Sequence, residues 1–255
     1  MSKNNSKRDI LVTNALPYAN GHLHLGHILE HIQSDIWVRF QRLQGNNCTY
    51  ICGEDAHGTS IMLKAEEQGI APEKLIKQVR VSHELDFKAF NISHDNYHTT
   101  HSEENRYYSE TIFTRLKEEG LIEEKEIEQL YDTEKGLFLS DRYVKGTCPS
   151  CESENQYGDN CEVCSSAYSA VDLINPVSVI TDTKPELKKS THLFFKLSDL
   201  KKEINNWLNS AQVVPQAINK LSEWTESEIK DWDISRDAPY FGFEIPEYEN
   251  KFFYV

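Results

Sequence analysis

"PYANGHLHLGH", Pro17–His27, gathers three histidines, two glycines and a proline between a short apolar run, Ile10-Leu11-Val12-Thr13, and a periodic apolar segment. The run reads as a buried strand bounded by the turn formers Asn14 and Pro17. After the corner, Ile28, Ile32, Ile36 and Phe40 recur every four residues, and Leu29 and Leu43 widen the stripe. That spacing predicts an amphipathic helix ending at Gly45, a residue suited to a C-cap. His24 and His27 are three apart and so share one face of the first helical turn. A helix start presents unpaired N–H groups and partial positive charge, which suits a phosphate. Two imidazoles there can donate to phosphate oxygens as charge shifts during transfer. Gly26 has no side chain, so a flat ring can approach the backbone. His22 and His31 read as cap or surface residues.

The alternation continues outward. A second strand is expected over about Asn47–Cys52, ending in "GEDAHGTS", Gly53–Ser60, where Thr59 or Ser60 can cap the helix that follows. Pro72 suits the first turn of a further helix carrying Leu75, Val79 and Leu85. Strand, helix, strand, helix with short connections is a parallel α/β pattern, and the histidine corner falls in its first βα turn. Ligands of such sheets bind at that carboxyl end. Ser102 can cap the helix "EENRYYSETIFTRLKEE", with Gly120 at its end. Then the character changes. "YDTEKGLFLSDRYVKGTCPSC", Tyr131–Cys151, is strand-like and full of turns; later helices carry Leu200, Ile204 and Leu208, then Ile218 and Leu221 after Pro215. We read an α/β unit over 1–102 and a mixed α+β insert over 103–253, with 254–255 beginning a return.

Hydrophobic residues make up 38% of the 255 and charged residues 27%, ordinary for a globular chain. No apolar run approaches the roughly 20 residues a spanning helix needs, and the N-terminus lacks a signal-peptide core. The reading is a cytoplasmic protein with no membrane and no DNA partner, in which sequons at Asn4 and Asn91 carry no meaning. A net charge of −14 speaks against a non-specific nucleic-acid binder, though not against contact with RNA over one limited patch. Part of the excess is local: Glu118–Gln129 holds six glutamates and one lysine and reads as a solvated face.

Cys148, Cys151, Cys161 and Cys164 are spaced C-x2-C-x9-C-x2-C. Each C-x2-C pair lets two thiolates meet one ion from a tight turn, and two pairs complete a tetrahedron. Without a secretory signal, zinc is favoured over disulfides. No ligand position is left open, so the ion would be structural. Cys48 and Cys52, in the second strand, read as ordinary buried thiols.

His24-Leu25-Gly26-His27 resembles the HIGH signature of class I aminoacyl-tRNA synthetases. "NALPYANG", "GEDAHGT", "FNISHDNYHTTHSEEN", "QLYDTEKGLFLSDRYVKGTCPSC", "YGDNCEVC" and "DWDISRDAPYFG" extend the likeness to the methionyl-tRNA synthetases, in order, from about Ile10 to the last residue. The resemblance implies a first half of a doubly wound, Rossmann-like nucleotide-binding sheet with a zinc-knuckle connective insert. It implies ATP-dependent activation of L-methionine to methionyl-adenylate, and transfer to tRNA(Met), with Mg2+ accompanying ATP as substrate. By resemblance His24 and His27 contact the ATP phosphates and act in catalysis, and Gly26 lies under the adenine. Ala15, Leu16 and Tyr18 match positions lining the methionine pocket, and Asp55 matches the carboxylate receiving the α-ammonium. For Asp55 a helix cap beside Thr59 is the other reading. The four cysteines match a single structural Zn2+ knuckle, 148–164. Trp232 and Arg236 match positions on the returning segment that face the site; for Trp232 plain core is equally open.

The chain has no KMSKS-like run, only Leu187-Lys188-Lys189-Ser190, and nothing matching a helical anticodon-binding domain. The expectation is therefore an N-terminal piece of a synthetase, inactive or nearly so alone, with an unpaired sheet edge that favours aggregation. Rival readings are a synthetase for leucine, isoleucine, valine or cysteine, a nucleotidyltransferase with an H-x-G-H corner, and a non-catalytic zinc-containing RNA-binding module.

Overall fold

Alternating apolar residues build the first sheet. In this computed structural model, which describes residues 7–210, 212, 214–226 and 229–254, apart from the side chains of 222–226, β1 (Asp9–Thr13) is followed by helix α1 (Leu25–Leu43). Strand β2 (Asn47–Glu54), helices α2 (Thr59–Glu67) and α3 (Pro72–Ala89), and β3 (Asn96–Thr99) follow. The strands are all parallel in the order β1-β2-β3, as a helix between successive strands requires. Among the described residues β1 pairs with β2 alone, so the expected open edge is there. Ile28, Val38, Cys48, Tyr50, Phe87 and Ile92 form one core of this unit. Ala19, Ala56, Ile61, Ala65, Leu75, Ile76 and Phe241 form another.

Helix α1 turns a different face inward from the one its leucines and isoleucines suggest. Ile28, His31, Asp35, Val38 and Gln41 are buried, whereas Leu29, Ile36, Phe40 and Leu43 are exposed. Polar residues can take the inner face because each finds partners there. Asp35 Oδ1 accepts from Ser93 N–H at 2.9 Å, and Gln41 Oε1 accepts from Arg8 and Asn46. His31 is thus no surface residue; it is 1% exposed. The helix ends as expected, with Gly45 at φ +86°.

Helix α2 also departs from expectation. Its N-cap is Gly58, with no side-chain cap from Thr59 or Ser60. Gly58 has φ +121°, and a Cβ there would come within 2.6 Å of the Tyr18 hydroxyl. Both facts reserve the position for glycine, and its N–H donates to Phe241 O at 2.8 Å. Pro72 opens α3 as expected.

The chain divides into two compact units: residues up to Tyr108 with Tyr240–Gly242, and Ser109–Pro239 with Phe243 onward. The division falls inside helix α4 (Glu103–Glu118), which Ser102 Oγ caps by accepting from Asn105 N–H at 3.2 Å. The expected return at 254–255 falls partly on Val255, and the Asn4 sequon also lies outside the described residues.

The second unit is mainly antiparallel. Its strands are β4 (Ile122–Asp132), β5 (Leu137–Phe138), β6 (Val144–Thr147), β7 (Gln156–Tyr157), β8 (Ile174–Ser178) and β9 (Glu186–Phe195). Helices α5 (Lys201–Ser210) and α6 (Pro215–Glu226) precede β10 (Trp232–Asp233), β11 (Ser235–Asp237) and β12 (Lys251–Phe253). The sheets run β10-β9-β4-β5, β7-β6-β8 and β11-β12. The acidic run is largely β4, where Glu126 meets Lys189 of β9 at 2.7 Å on an exposed face. Beneath, wholly buried His192 donates from Nδ1 to Asp233 at 2.7 Å and from Nε2 to Asp237 at 2.9 Å.

Candidate active site

His24 is the N-cap of α1, with φ −112° and ψ 171°. Its Nδ1 accepts from the N–H groups of Gly26 at 3.1 Å and His27 at 3.4 Å. His27 Nδ1 accepts in return from His24 N–H at 3.3 Å. The pair is a capping box written in imidazoles. Because both Nδ1 atoms accept, each neutral ring carries its proton on Nε2. The rings stack with centroids 3.6 Å apart and planes 18° from parallel. Burial and the neighbouring His24 hold the His27 imidazole below its ordinary range, and Glu30 opposes them weakly. Protonation of either Nδ1 would break the box, so this geometry belongs to neutral rings. It presents two Nε2–H donors at the positive end of the helix dipole, which can bind a developing oxyanion. Gly26 is required by the cap itself: a Cβ there would lie 2.9 Å from His24 Cε1.

Glu30 and His83, which the sequence did not single out, and the turn former Asn14 hold this corner in place. Glu30 accepts from Ala15 N–H at 3.0 Å and Asn14 Nδ2 at 3.1 Å, bonds that draw its carboxyl below the usual range. Asn14 also donates to Ser34 at 2.8 Å and accepts from the Tyr50 hydroxyl. From α3, fully buried His83 donates through Nε2 to Gly21 O at 2.8 Å. The only sequence signals were a glutamate three residues after His27 and a histidine on an apolar helix face.

The segment after β1 prolongs the parallel pairing. Tyr18 bridges Asp55, Ala19 N–H donates to Asp55 O at 2.8 Å and Asp55 N–H to Pro17 O at 2.9 Å. Tyr18 is half-buried, while Ala15 and Leu16 are exposed. Asp55 is not the α2 cap. Burial pushes its carboxyl up, against the bond it receives from His57. Among the described residues no lysine or arginine ion-pairs with it, so a ligand ammonium would find an uncompensated carboxylate. Glu54 beside it is 1% exposed, and burial, opposed by a bond from Thr99, pushes it up to about 7.

The four cysteines converge. Cys148 Sγ lies 3.8 Å from Cys164 Sγ, and Cys151 Sγ 3.6 Å from Cys161 Sγ, with all four within 4.8 Å. Sulfurs at ~2.3 Å from one tetrahedral ion would be roughly 3.8 Å apart, so the donor set fits zinc. The two turns repeat each other. Glu152 and Ser165 both have φ +60°, and their N–H groups donate to Cys148 O and Cys161 O. Ser150 N–H and Val163 N–H point at the sulfurs of Cys148 and Cys161 at 3.4 Å.

Trp232 and Arg236 lie in the second unit. Trp232 is 53% exposed in β10, so it is not core. Arg236 sits over the Tyr254 ring at 3.9 Å and 3.3 Å from Asp233.

The family model described as "tRNA synthetases class I (M)" matches residues 10–255. The chain belongs to this class I tRNA synthetase family. Its fold matches Mycobacterium tuberculosis methionyl-tRNA synthetase in complex with methionyl-adenylate, with TM-score 0.72 and 20% identity over 98% of this chain and 44% of that one. A second structure of the same M. tuberculosis enzyme with methionyl-adenylate gives TM-score 0.71 and 20% identity, over 97% and 45%. The chain thus spans less than half the length of these synthetases. Within the class I fold, the histidine corner occupies the first βα turn of the parallel sheet. Among the described residues no helix is long and apolar enough to cross a membrane.

Proposed function

We propose that this chain is the ATP- and methionine-binding part of a methionine–tRNA ligase that acts in the cytoplasm. The observation that carries the reading is the reciprocally capped His24–His27 pair. In the activation step a carboxylate oxygen of methionine bonds to the α-phosphorus of ATP, and the bond to pyrophosphate breaks. Charge grows on the phosphate oxygens, which the two Nε2–H donors and the start of α1 stabilise without first releasing a proton. Mg2+ enters with ATP. Gly26 leaves room for the adenine. Asp55 takes the α-ammonium as a charge-assisted pair, which the desolvated position strengthens. Ala15, Leu16 and Tyr18 form an apolar wall suited to a thioether. The methionyl group then passes to tRNA(Met).

In the same reading, 1–102 is half of the catalytic domain and 103–253 the connective insert, with the return at 254–255. Cys148, Cys151, Cys161 and Cys164 would hold one structural Zn2+, which cross-links two tight turns and takes no part in the chemistry. The choice of methionine is supported by the ordered motifs and by structural neighbours that carry methionyl-adenylate.

Amino-acid-dependent exchange of pyrophosphate into ATP tests the reading. With methionine, leucine, isoleucine, valine and cysteine offered separately, the chain alone is expected to be inactive or nearly so, and whatever exchange it or a longer chain containing it supports is expected with methionine alone. Exchange driven by another of the five and not by methionine would contradict it.

A further inference from the structure

A second set of metal-type donors lies apart from the histidine corner and the four cysteines. His31 comes from α1, Cys52 from β2, and His94 from the loop between α3 and β3. One ligating atom from each lies within 4.8 Å of the others. His31 Nδ1 and His94 Nε2 are 3.1 Å apart. Two imidazole nitrogens on one tetrahedral zinc, each at ~2.0–2.1 Å, would be roughly 3.3 Å apart. That separation is a hydrogen bond between the two rings, and a cation bound by both would replace the bond with little movement of either ring.

His31 Nδ1 is shared between His94 Nε2 and the Tyr50 hydroxyl at 3.3 Å, so it is Cys52 that hydrogen bonding leaves poorly used. His31 Nε2 is buried and has no hydrogen-bond partner among the described residues. It is the other nitrogen of the ring from the one that faces His94, so it is not a donor in this cluster. The His31 ring packs on Phe87, with centroids 4.4 Å apart. Cys52 Sγ has only long contacts, at 3.6, 3.9 and 4.0 Å, to the carbonyls of Gly53, Ala15 and Asn14.

Without a cation, the His31–His94 hydrogen bond uses one facing nitrogen as donor and the other as acceptor; binding would move that proton to the donor ring's other nitrogen and free both lone pairs.

We propose that His31, His94 and Cys52 form a second metal site, a three-donor N2S site for a borderline-soft divalent cation such as Zn2+. On binding, the Cys52 S–H bond breaks and its proton passes to solvent. The thiolate and the two imidazole lone pairs form the three metal bonds, and nothing is oxidised or reduced. A water completes the tetrahedron, as in zinc sites with three protein ligands. The ion ties α1, β2 and the α3–β3 loop together directly under Asn14 and Ala15. The site stands on its own geometry, whatever amino acid the neighbouring loop receives.

Zinc content and thiol protection test it on the full chain. After equilibration with Zn2+ and removal of the excess, wild type should carry one more zinc per chain than Cys52→Ser and than His94→Gln. N-ethylmaleimide should label Cys52 at least about tenfold more slowly with Zn2+ than without, and this protection should vanish in His94→Gln. Labelling of buried Cys48, followed in the same digests, reports whether the first unit of each variant still folds. His31→Gln provides a second variant in case His94→Gln does not. Equal zinc content in wild type and both variants would overturn the proposal. Cys52 protection that persists undiminished in the folded histidine variant would also overturn it.

Discussion

On the proposed assignment of one structural zinc to Cys148, Cys151, Cys161 and Cys164, stripping that ion is expected to unfold the β6–β7–β8 segment. The strands there are four, two and five residues long, too short to stand as an independent sheet. Between Cys148 and Cys164 the only buried residues are Gln156, Gly158 and Cys161, of which Gly158 has no side chain to pack. Both knuckles place a non-glycine residue at φ +60°, which local sterics disfavour. A structural zinc offsets these costs, since its binding free energy, about 10–16 kcal/mol in small zinc domains, is folding free energy. Amide hydrogen exchange with and without chelator checks this. The N–H groups of Ser150, Val163 and Cys164, each aimed at a cysteine sulfur, should lose protection. Cys161→Ser should reproduce the loss without chelator. Unchanged protection in both would contradict the structural role.

The second unit is most stable between about pH 4 and 6.5 with respect to the Asp233–His192–Asp237 triad. Burial alone would lower His192, but the carboxylates of Asp233 and Asp237 overcome it and raise its pKa. A raised histidine contributes stability fully below its unfolded value of about 6.5, and that contribution is lost as pH rises through the folded pKa. Asp237 behaves oppositely. Burial works to raise it, yet His192, Lys251 and Ser190 bring it to about 2. Its contribution, about 2 kcal/mol, is present above the unfolded value near 4 and lost as pH falls toward 2. His192→Leu leaves two carboxylates facing an apolar side chain, with Lys251 and Ser190 left to Asp237 and Arg236 and Ser235 to Asp233, and should cost about 3 kcal/mol. Urea midpoints measured from pH 3 to 9 should trace a maximum in wild type and lose the alkaline limb in His192→Leu. A wild-type profile flat from pH 6 to 9 would contradict the doubly paired imidazole.

The parallel βαβ core was legible because each signal there is local: an apolar run, a four-residue period, and glycines at helix ends. The cysteine knuckles were legible for the same reason, since both ligands of each pair sit on one turn. What was hidden depends on groups far apart in sequence. The period of α1 fits two stripes equally, and only Ser93, Arg8 and Asn46 show why the stripe containing Asp35 and Gln41 turns inward. Thr59 and Ser60 are good caps by type, yet Tyr18 and Phe241 assign the cap to Gly58. His31 and His94 are 63 positions apart, and nothing in either neighbourhood announces the other. The corner itself was half-visible. Its residues could be named, but the exchange of caps between His24 and His27, which sets their tautomers, needed coordinates.

The central claim is that the loop from Ala15 to His27 and the Asp55 carboxylate receive methionyl-adenylate. Calorimetric titration of the chain with a non-hydrolysable sulfamoyl analogue of methionyl-adenylate tests it most directly. The expected result is saturable binding, stronger than for the leucyl analogue and weakened roughly a hundredfold in Asp55→Asn, as removing one partner of a desolvated charge pair does. Equal affinity for the two analogues, with Asp55→Asn indistinguishable from wild type, would contradict the claim.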